Sequence, residues 1–314
     1  MLKLLGTRIV ALVPILLMIS IVSVALTTLI PGDAAEGIAG ASATPEQIAQ
    51  VRAEMGLDQG LVTQYWNWLT DAARGDFGRS LIDKSQIAPV VLDRLSVTLS
   101  LALVAALIGL VLGVTAGTLA ALRAGSLADR VITLLSSVAL AMPAFWLGLI
   151  LVTVFALKLG WFPATGYVPI TDSPGEWLRS IILPGFALGL VVTAMLARHA
   201  RASMIQVLQM PHIRTARAMG LPAHRVLGKH ALKSSLSPVV TTMGFQFAYL
   251  LGGAVVIEQV FGIPGMGDLV LTAVNLRDIP VIQAVVVTTG VCVALAQLLV
   301  DISYGYLNPK VRLA

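Results

Sequence analysis

Six uncharged and predominantly apolar runs divide the chain: Ile9 to Ile30, Leu95 to Leu122, Val131 to Leu157, Ser180 to Ala197, Val239 to Ile257 and Val281 to Val300. A helix needs about 20 such residues to cross the hydrocarbon core, so each run predicts one membrane-spanning helix. The fourth run is the shortest, and its helix is expected to continue past Arg198, where the residues still favour helix. Ile9 to Ile30 follows Lys3 and Arg8 as a signal peptide would, with Ala-x-Ala patterns near Ala39 to Ala43. Its apolar run is too long for one, so it is expected to remain as a span.

Two spans carry internal detail. Ala105, Gly109, Gly113, Gly117 and Ala121 recur at every fourth residue of the second, a stripe with almost no side chain, which lets helices in lipid approach closely. Packing inside the bundle explains it better than a direct place on a pathway. Pro143, in the third run, removes a backbone donor and predicts a kink there.

The polar region 31–94 predicts two short helices. Thr44 with Gln47 makes a capping box, Pro45 suits the first helical position, and Ile48, Val51 and Met55 recur at helical spacing up to Gly56. Leu61 to Ala73 follows, with Tyr65, Trp66, Trp68 and Leu69 giving an aromatic face before Gly75. That face suits packing at the membrane interface, which favours Trp and Tyr, better than the docking of a soluble partner, for which Tyr65, Trp66 and Trp68 are the candidates.

Composition agrees with a bilayer as solvent: 57% of the 314 residues are hydrophobic and 12% charged, with a mean hydropathy of +0.89. The net charge of +5 sits beside apolar runs rather than among stacking aromatics, which argues against nucleic acid. Lys3, Arg8, Arg123, Arg130, the segment Arg198 to Lys233, Lys310 and Arg312 thread to one side. That segment holds seven Lys or Arg and no Asp or Glu. By the positive-inside rule this side is cytoplasmic, with both termini on it. The expected division is 1–30 as first span, 31–94 as external insertion and 95–314 as a five-helix core.

Several chemistries are excluded. No Gly-x-x-x-x-Gly-Lys-Ser/Thr loop occurs; before Gly228-Lys229 an alanine, Ala223, stands at the first glycine position, and His230 replaces the hydroxyl. No Asp, Glu, Lys, Arg or His falls inside a span, and Glu258 and Asp301, at span ends, are expected to be solvated. Neither a zinc-protease helix motif nor a nucleophile elbow is present. His199, His212, His224 and His230 are irregularly spaced, and Cys292 is a lone apolar-run residue. No catalytic residue, metal or cofactor is expected.

The stretch between spans four and five is more specific. Pro211-His212-Ile213-Arg214-Thr215-Ala216-Arg217-Ala218-Met219-Gly220 favours helix up to Gly220, which suits a left-handed terminating position. After Leu221, Pro222 suits the first turn of a second helix. In that helix Ala223, Val226, Leu227, Ala231 and Ser234 share one face and Arg225, Lys229 and Lys233 another. Arg214 to Gly220, with Arg225-Val226-Leu227, His230-Ala231-Leu232-Lys233 and Leu236-Ser237-Pro238, resembles the EAA loop of ABC importer permeases. More narrowly it is similar to the oligopeptide/dipeptide (Opp/Dpp) branch and its B-type subunit. Arg214 and Thr215 depart from the Glu-Ala that names the loop, while Ala216, Gly220 and the distant Pro238 match. The likeness extends through Pro31-Gly32-Asp33, Met55-Gly56-Leu57-Asp58, Arg74-Gly75-Asp76-Phe77-Gly78-Arg79-Ser80, Gly160-Trp161-Phe162-Pro163, Phe261-Gly262-Ile263-Pro264-Gly265-Met266-Gly267, Arg277-Asp278-Ile279-Pro280 and Asn308-Pro309-Lys310-Val311-Arg312.

The resemblance implies an all-α membrane protein of the type I ABC importer permease fold, in a bacterial plasma membrane. It implies a second, C-type permease subunit, two cytoplasmic ATPase subunits and an external substrate-binding protein as partners, and peptides or similar small cargo. Residues 209–238 would be the coupling loop. Arg214, Thr215, Ala216, Arg217, Ala218, Met219, Gly220, Leu221 and Pro238 would be its ATPase-facing residues, with Thr215, Ala216 and Met219 small or slim enough for a groove. Clean spans without inverted half-chain symmetry disfavour a secondary transporter or channel. In a non-transporting scaffold the turn and the insertion would be packing features, a reading that co-purification with ATPase subunits separates.

Overall fold

A computed structural model describes residues 2–28, 43–54 and 58–307. The helices are α1 (Leu2–Thr28), α2 (Pro45–Glu54), α3 (Leu61–Ala73), α4 (Ile87–Leu122), α5 (Leu127–Ala141), α6 (Ala144–Leu151), α7 (Pro174–Leu208), α8 (Pro211–Ala218), α9 (Ala223–Phe261), α10 (Met266–Leu276) and α11 (Ile279–Leu307). Among the described residues the one extended pairing is an isolated bridge between Arg79 and Gln86. The motifs at Pro31–Asp33, Met55–Leu57 and Asn308–Arg312 lie outside the described residues.

Apolar length identifies α4, α7, α9 and Ile279–Val300 of α11 as spans. α1 contributes a further apolar helix, Leu12–Ala25. The third run departs from expectation: α5 and α6 are bent by 103° at the break between them. Pro143 stands before α6 with an extended backbone, and Met142 closes α5 by donating to Val138 O at 3.1 Å. With no N–H at residue 143 the ladder has nothing to carry it across, so the kink becomes a break. α6 then passes into a π-helical stretch, Val152–Lys158. The fourth span continues past Arg198, and its 35 residues extend about 52 Å, well beyond a hydrocarbon core.

Two compact units divide the chain. The first holds Thr98–Ile263 with both chain ends, and its centre is the contact of α4 with α7. A Cβ on Gly109, Gly113 or Gly117 would stand 2.7, 2.7 or 2.4 Å from Val192 Cγ1, Leu196 Cβ or Ala197 O. Gly185 and Gly189 return the arrangement from α7, with a Cβ 2.8 Å from Val104 Cγ1 and 2.6 Å from Ala105 O. The stripe is therefore a close helix contact, as its spacing predicts. Glu258 corrects the expectation of a solvated span end. It is 0% exposed and accepts from the Thr98 hydroxyl at 2.6 Å. α9 ends three residues later, at Phe261, with a left-handed turn at Gly262; Ile263 N–H returns to Glu258 O at 2.8 Å, and Gly166 N–H donates to Phe261 O at 2.8 Å. The helix end thus faces protein rather than water. The side chain of Asp301 lies outside the described residues.

The second unit holds Gly6–Val97 and Pro264–Ala294. Its core joins Ile87 and Val91 to Met266 and Ala273 of α10 and Val281, Ala284 and Val285 of α11. The capping box of α2 forms as predicted: Thr44 N–H donates to Gln47 Oε1 at 2.9 Å, and Gln47 N–H donates to Thr44 Oγ1 at 3.4 Å. Val51 contributes only its place in α2, since its side chain lies outside the described residues, as do Met55 and Gly56. Two motifs far apart in sequence meet at Asp278, which accepts from the Ser80 hydroxyl and, at 3.2 Å, from Leu81 N–H.

Candidate functional site

α8 follows α7 after two residues, and Pro211 occupies its first turn, where a missing N–H costs nothing. The helix ends at Gly220 with φ +75°. Gly220 N–H donates to Arg217 O at 3.0 Å and Leu221 N–H to Ala216 O at 3.2 Å, the paired bonds of a left-handed C-terminus. A Cβ on Gly220 would meet nothing within 4 Å, so torsion alone demands glycine here. Pro222 stands one residue before the next helix, with an extended backbone, rather than in its first turn.

One side of α8 is seated on the bundle. Ile213 and Ala216 are buried with Ala121 of α4, Met204 and Val207 of α7, and Val226 and Ala231 of α9, and Leu221 packs against the same cluster. The other side is bare: Arg214, Thr215, Arg217, Ala218, Met219 and Gly220 are exposed, Met219 at 69%. Thr215 donates its hydroxyl to Pro211 O at 3.1 Å. Ala216 is therefore corrected from a surface contact to a seat, at 4% exposure; as the third residue from the helix end it faces the Leu221 fold-back. Pro238 lies inside α9, exposed and more than a turn beyond the others. The face predicted for Ala223, Val226, Leu227, Ala231 and Ser234 is broken by a π-helical stretch, Val226–Leu232. Val226 and Ala231, five apart, are buried, while Ala223 and Ser234 are exposed, as the wider π turn requires.

Sequence reasoning did not single out Asp129. Its carboxylate accepts from Arg201 Nη2 at 2.7 Å and from Arg201 Nε, joining the start of α5 to the polar extension of α7. Gly125 N–H donates to it at 2.9 Å. The Arg201 hydrogen bonds first and the Gly125 amide second hold the Asp129 carboxyl down to about 2. Both partners are thus charged at neutral pH. The available signal was a lone acid between Arg123 and Arg130.

Tyr65, Trp66 and Trp68 do not form one surface. The Tyr65 hydroxyl lies 2.8 Å from that of Ser20 on α1. Trp68 buries an indole nitrogen with no hydrogen-bond partner. Trp66 alone of the three is exposed, at 63%. Among the described residues no group of His, Cys, Asp or Glu could hold a metal.

The family described as "Binding-protein-dependent transport system inner membrane component" matches residues 109–313, and its N-terminal counterpart matches residues 1–102. The chain belongs to this family. It is a multi-pass inner-membrane permease of an ABC importer, and the seated, outward-facing α8 belongs to such a permease. A Brucella abortus protein named for a peptide transport system permease is 40% identical over 305 residues, 97% of each chain. The glutathione transport system permease protein GsiC of Escherichia coli is 38% identical over the same share of both chains. Among solved structures, the MetNI methionine ABC transporter superposes with a TM-score of 0.54 at 18% identity, covering 70% of this permease and 96% of that chain. An amino acid ABC transporter gives a TM-score of 0.51 at 17% identity, covering 69% and 93%. These two show the shared type I importer permease fold.

Proposed function

We propose that this permease carries short peptides, pairs with a second, C-type permease, and is driven through α8 by two cytoplasmic ATPase subunits. The observation that carries the reading is the two-sidedness of α8. Its inner residues are packed into α4, α7 and α9, while Arg214, Thr215, Ala218 and Met219 stand free for a partner. A short helix so mounted passes force from a partner to three spans without bending. Beside it, a groove of about 360 Å³ lined by Leu122, Leu208, Arg217, Leu221, His224 and Leu227 offers a seat for a partner's apolar side chain. A cytoplasmic side for α8 and both termini is supported by the seven cations between Arg198 and Lys233. ATP-driven closure of the ATPases would then bias the spans between inward-open and outward-open states. Peptide cargo is supported by the names of the relatives, and its selection would rest with an external binding protein.

The test is site-directed crosslinking in the assembled transporter, with Met219→Cys in a Cys292→Ser background and single cysteines along the groove of the ATPase. Nucleotide-dependent crosslinks at Met219, and none at Ile213→Cys, support the assignment. An ATPase that never accompanies the tagged permease through purification ends it.

A further inference from the structure

α1 and α11 supply a depth scale for their unit. The apolar stretches Leu12–Ala25 and Ile279–Val300 have their midpoints at residues 18–19 and 289–290. At that level the two helices touch: a Cβ on Gly290 would stand 3.0 Å from Ile19 Cδ1. Helices meeting midpoint to midpoint share one bilayer register, so Ile19 and its neighbour Ser20 lie near mid-depth. Ser20 is buried and donates to Leu17 O at 2.8 Å, and its oxygen lies 2.8 Å from the Tyr65 hydroxyl.

A tyrosine hydroxyl reaches roughly 6–7 Å from its Cα by ordinary bond lengths. Adding the hydrogen bond puts the backbone of α3 within about 10 Å of the midplane, whereas the hydrocarbon ends about 15 Å from it. α3 therefore sits about 5 Å or more inside the hydrocarbon boundary, the depth of a helix lying in the interface. Its sequence suits that position. Val62 and Trp66, one turn apart, are 82% and 63% exposed on this chain. The polar residues are bonded locally: Gln64 to Gln59 O at 2.7 Å, Asn67 to Gln59 Oε1 at 3.3 Å, and Thr70 to Asn67 O at 2.8 Å.

We infer that α3 is an interfacial membrane helix whose Val62–Trp66 face is covered by lipid acyl chains, and that this face is not a docking surface for a soluble protein. The inference stands on depth and is independent of the coupling assignment for α8.

Spin-label accessibility in the complete transporter, reconstituted into phosphatidylcholine–phosphatidylglycerol vesicles, tests it. In a Cys292→Ser background, nitroxides placed by Val62→Cys and Trp66→Cys should favour oxygen over a water-soluble nickel chelate several-fold. Their depth should fall about 5–10 Å below the headgroups, and the ratio should reverse at Asp71→Cys. Adding the external binding protein should change neither label. Nickel accessibility at Val62 and Trp66 equal to that at Asp71, or protection of both by the binding protein, overturns the inference. A label-free measurement guards against variants that do not assemble: in vesicles of brominated phosphatidylcholine, Trp66→Phe should remove a quenched component of the tryptophan emission. No change in quenching there would also overturn it.

Discussion

Gly220 separates torsion from crowding more cleanly than any other residue near α8. Its φ is +75° and the space where a Cβ would stand holds no atom within 4 Å, so a small substituent clashes with nothing and still strains the backbone. An L-residue in this region costs roughly 1–2 kcal/mol, which lowers the population of the closed turn about 5- to 30-fold. Asparagine tolerates the region better than alanine, and a β-branched residue tolerates it least. The turn is at the surface, while Ile213 and Ala216 remain buried in a core that the substitution does not touch. Membrane insertion and abundance should accordingly stay near wild type. In proteoliposomes containing the whole transporter and its binding protein, uptake per ATP hydrolysed should fall in the order Gly220, Gly220→Asn, Gly220→Ala, Gly220→Val, with the last abolishing transport. Normal uptake by both Gly220→Ala and Gly220→Val, at unchanged assembly, would refute the coupling role of the turn.

Three other perturbations follow from the packing. Gly117→Ala puts a Cβ 2.4 Å from Ala197 O, while Gly252→Ala meets nothing within 4 Å; the first should destabilise the permease by about 1–3 kcal/mol and the second should not, as read by thermal unfolding in detergent. Glu258→Ala deletes the acceptor of the 2.6 Å bond from Thr98 and should cost about 1–3 kcal/mol; Glu258→Gln keeps an acceptor and the volume and should lose less in the same assay. Asp129 is held down to about 2, below its unfolded value near 3.9, so its pair with Arg201 stabilises the fold fully above about pH 4 and loses that contribution as pH falls toward 2. The melting difference between wild type and Asp129→Asn should therefore be constant from about pH 5 to 8 and shrink below about pH 4; a difference that changes between pH 6 and 8 would contradict the assignment.

The features legible in sequence are those a residue imposes on its own backbone or its own helix. Uncharged runs showed the spans α4, α7, α9 and α11, Thr44 and Gln47 the start of α2, the four-residue stripe the α4–α7 contact, and Gly220 the end of α8. The features that were not legible depend on a distant partner. Asp129 meets Arg201 across 72 residues and Ser80 meets Asp278 across 198, and Tyr65 reveals the depth of α3 only through Ser20. Glu258 was misread because a charged helix end looks the same in sequence whether water or the Gly166 loop faces it. Pro143 announced a lost hydrogen bond, but the size of the bend, 103°, is not written in that one residue. The same division applies to α8. Its turn is written in Gly220, whereas its seat comes from Ala121, Met204, Val207, Val226 and Ala231 beneath it, contributed by three separate spans. Under the proposed coupling, a partner pushing on Met219 would displace α4, α7 and α9 together, because the shared cluster cannot yield at one helix without opening a cavity under Ala216.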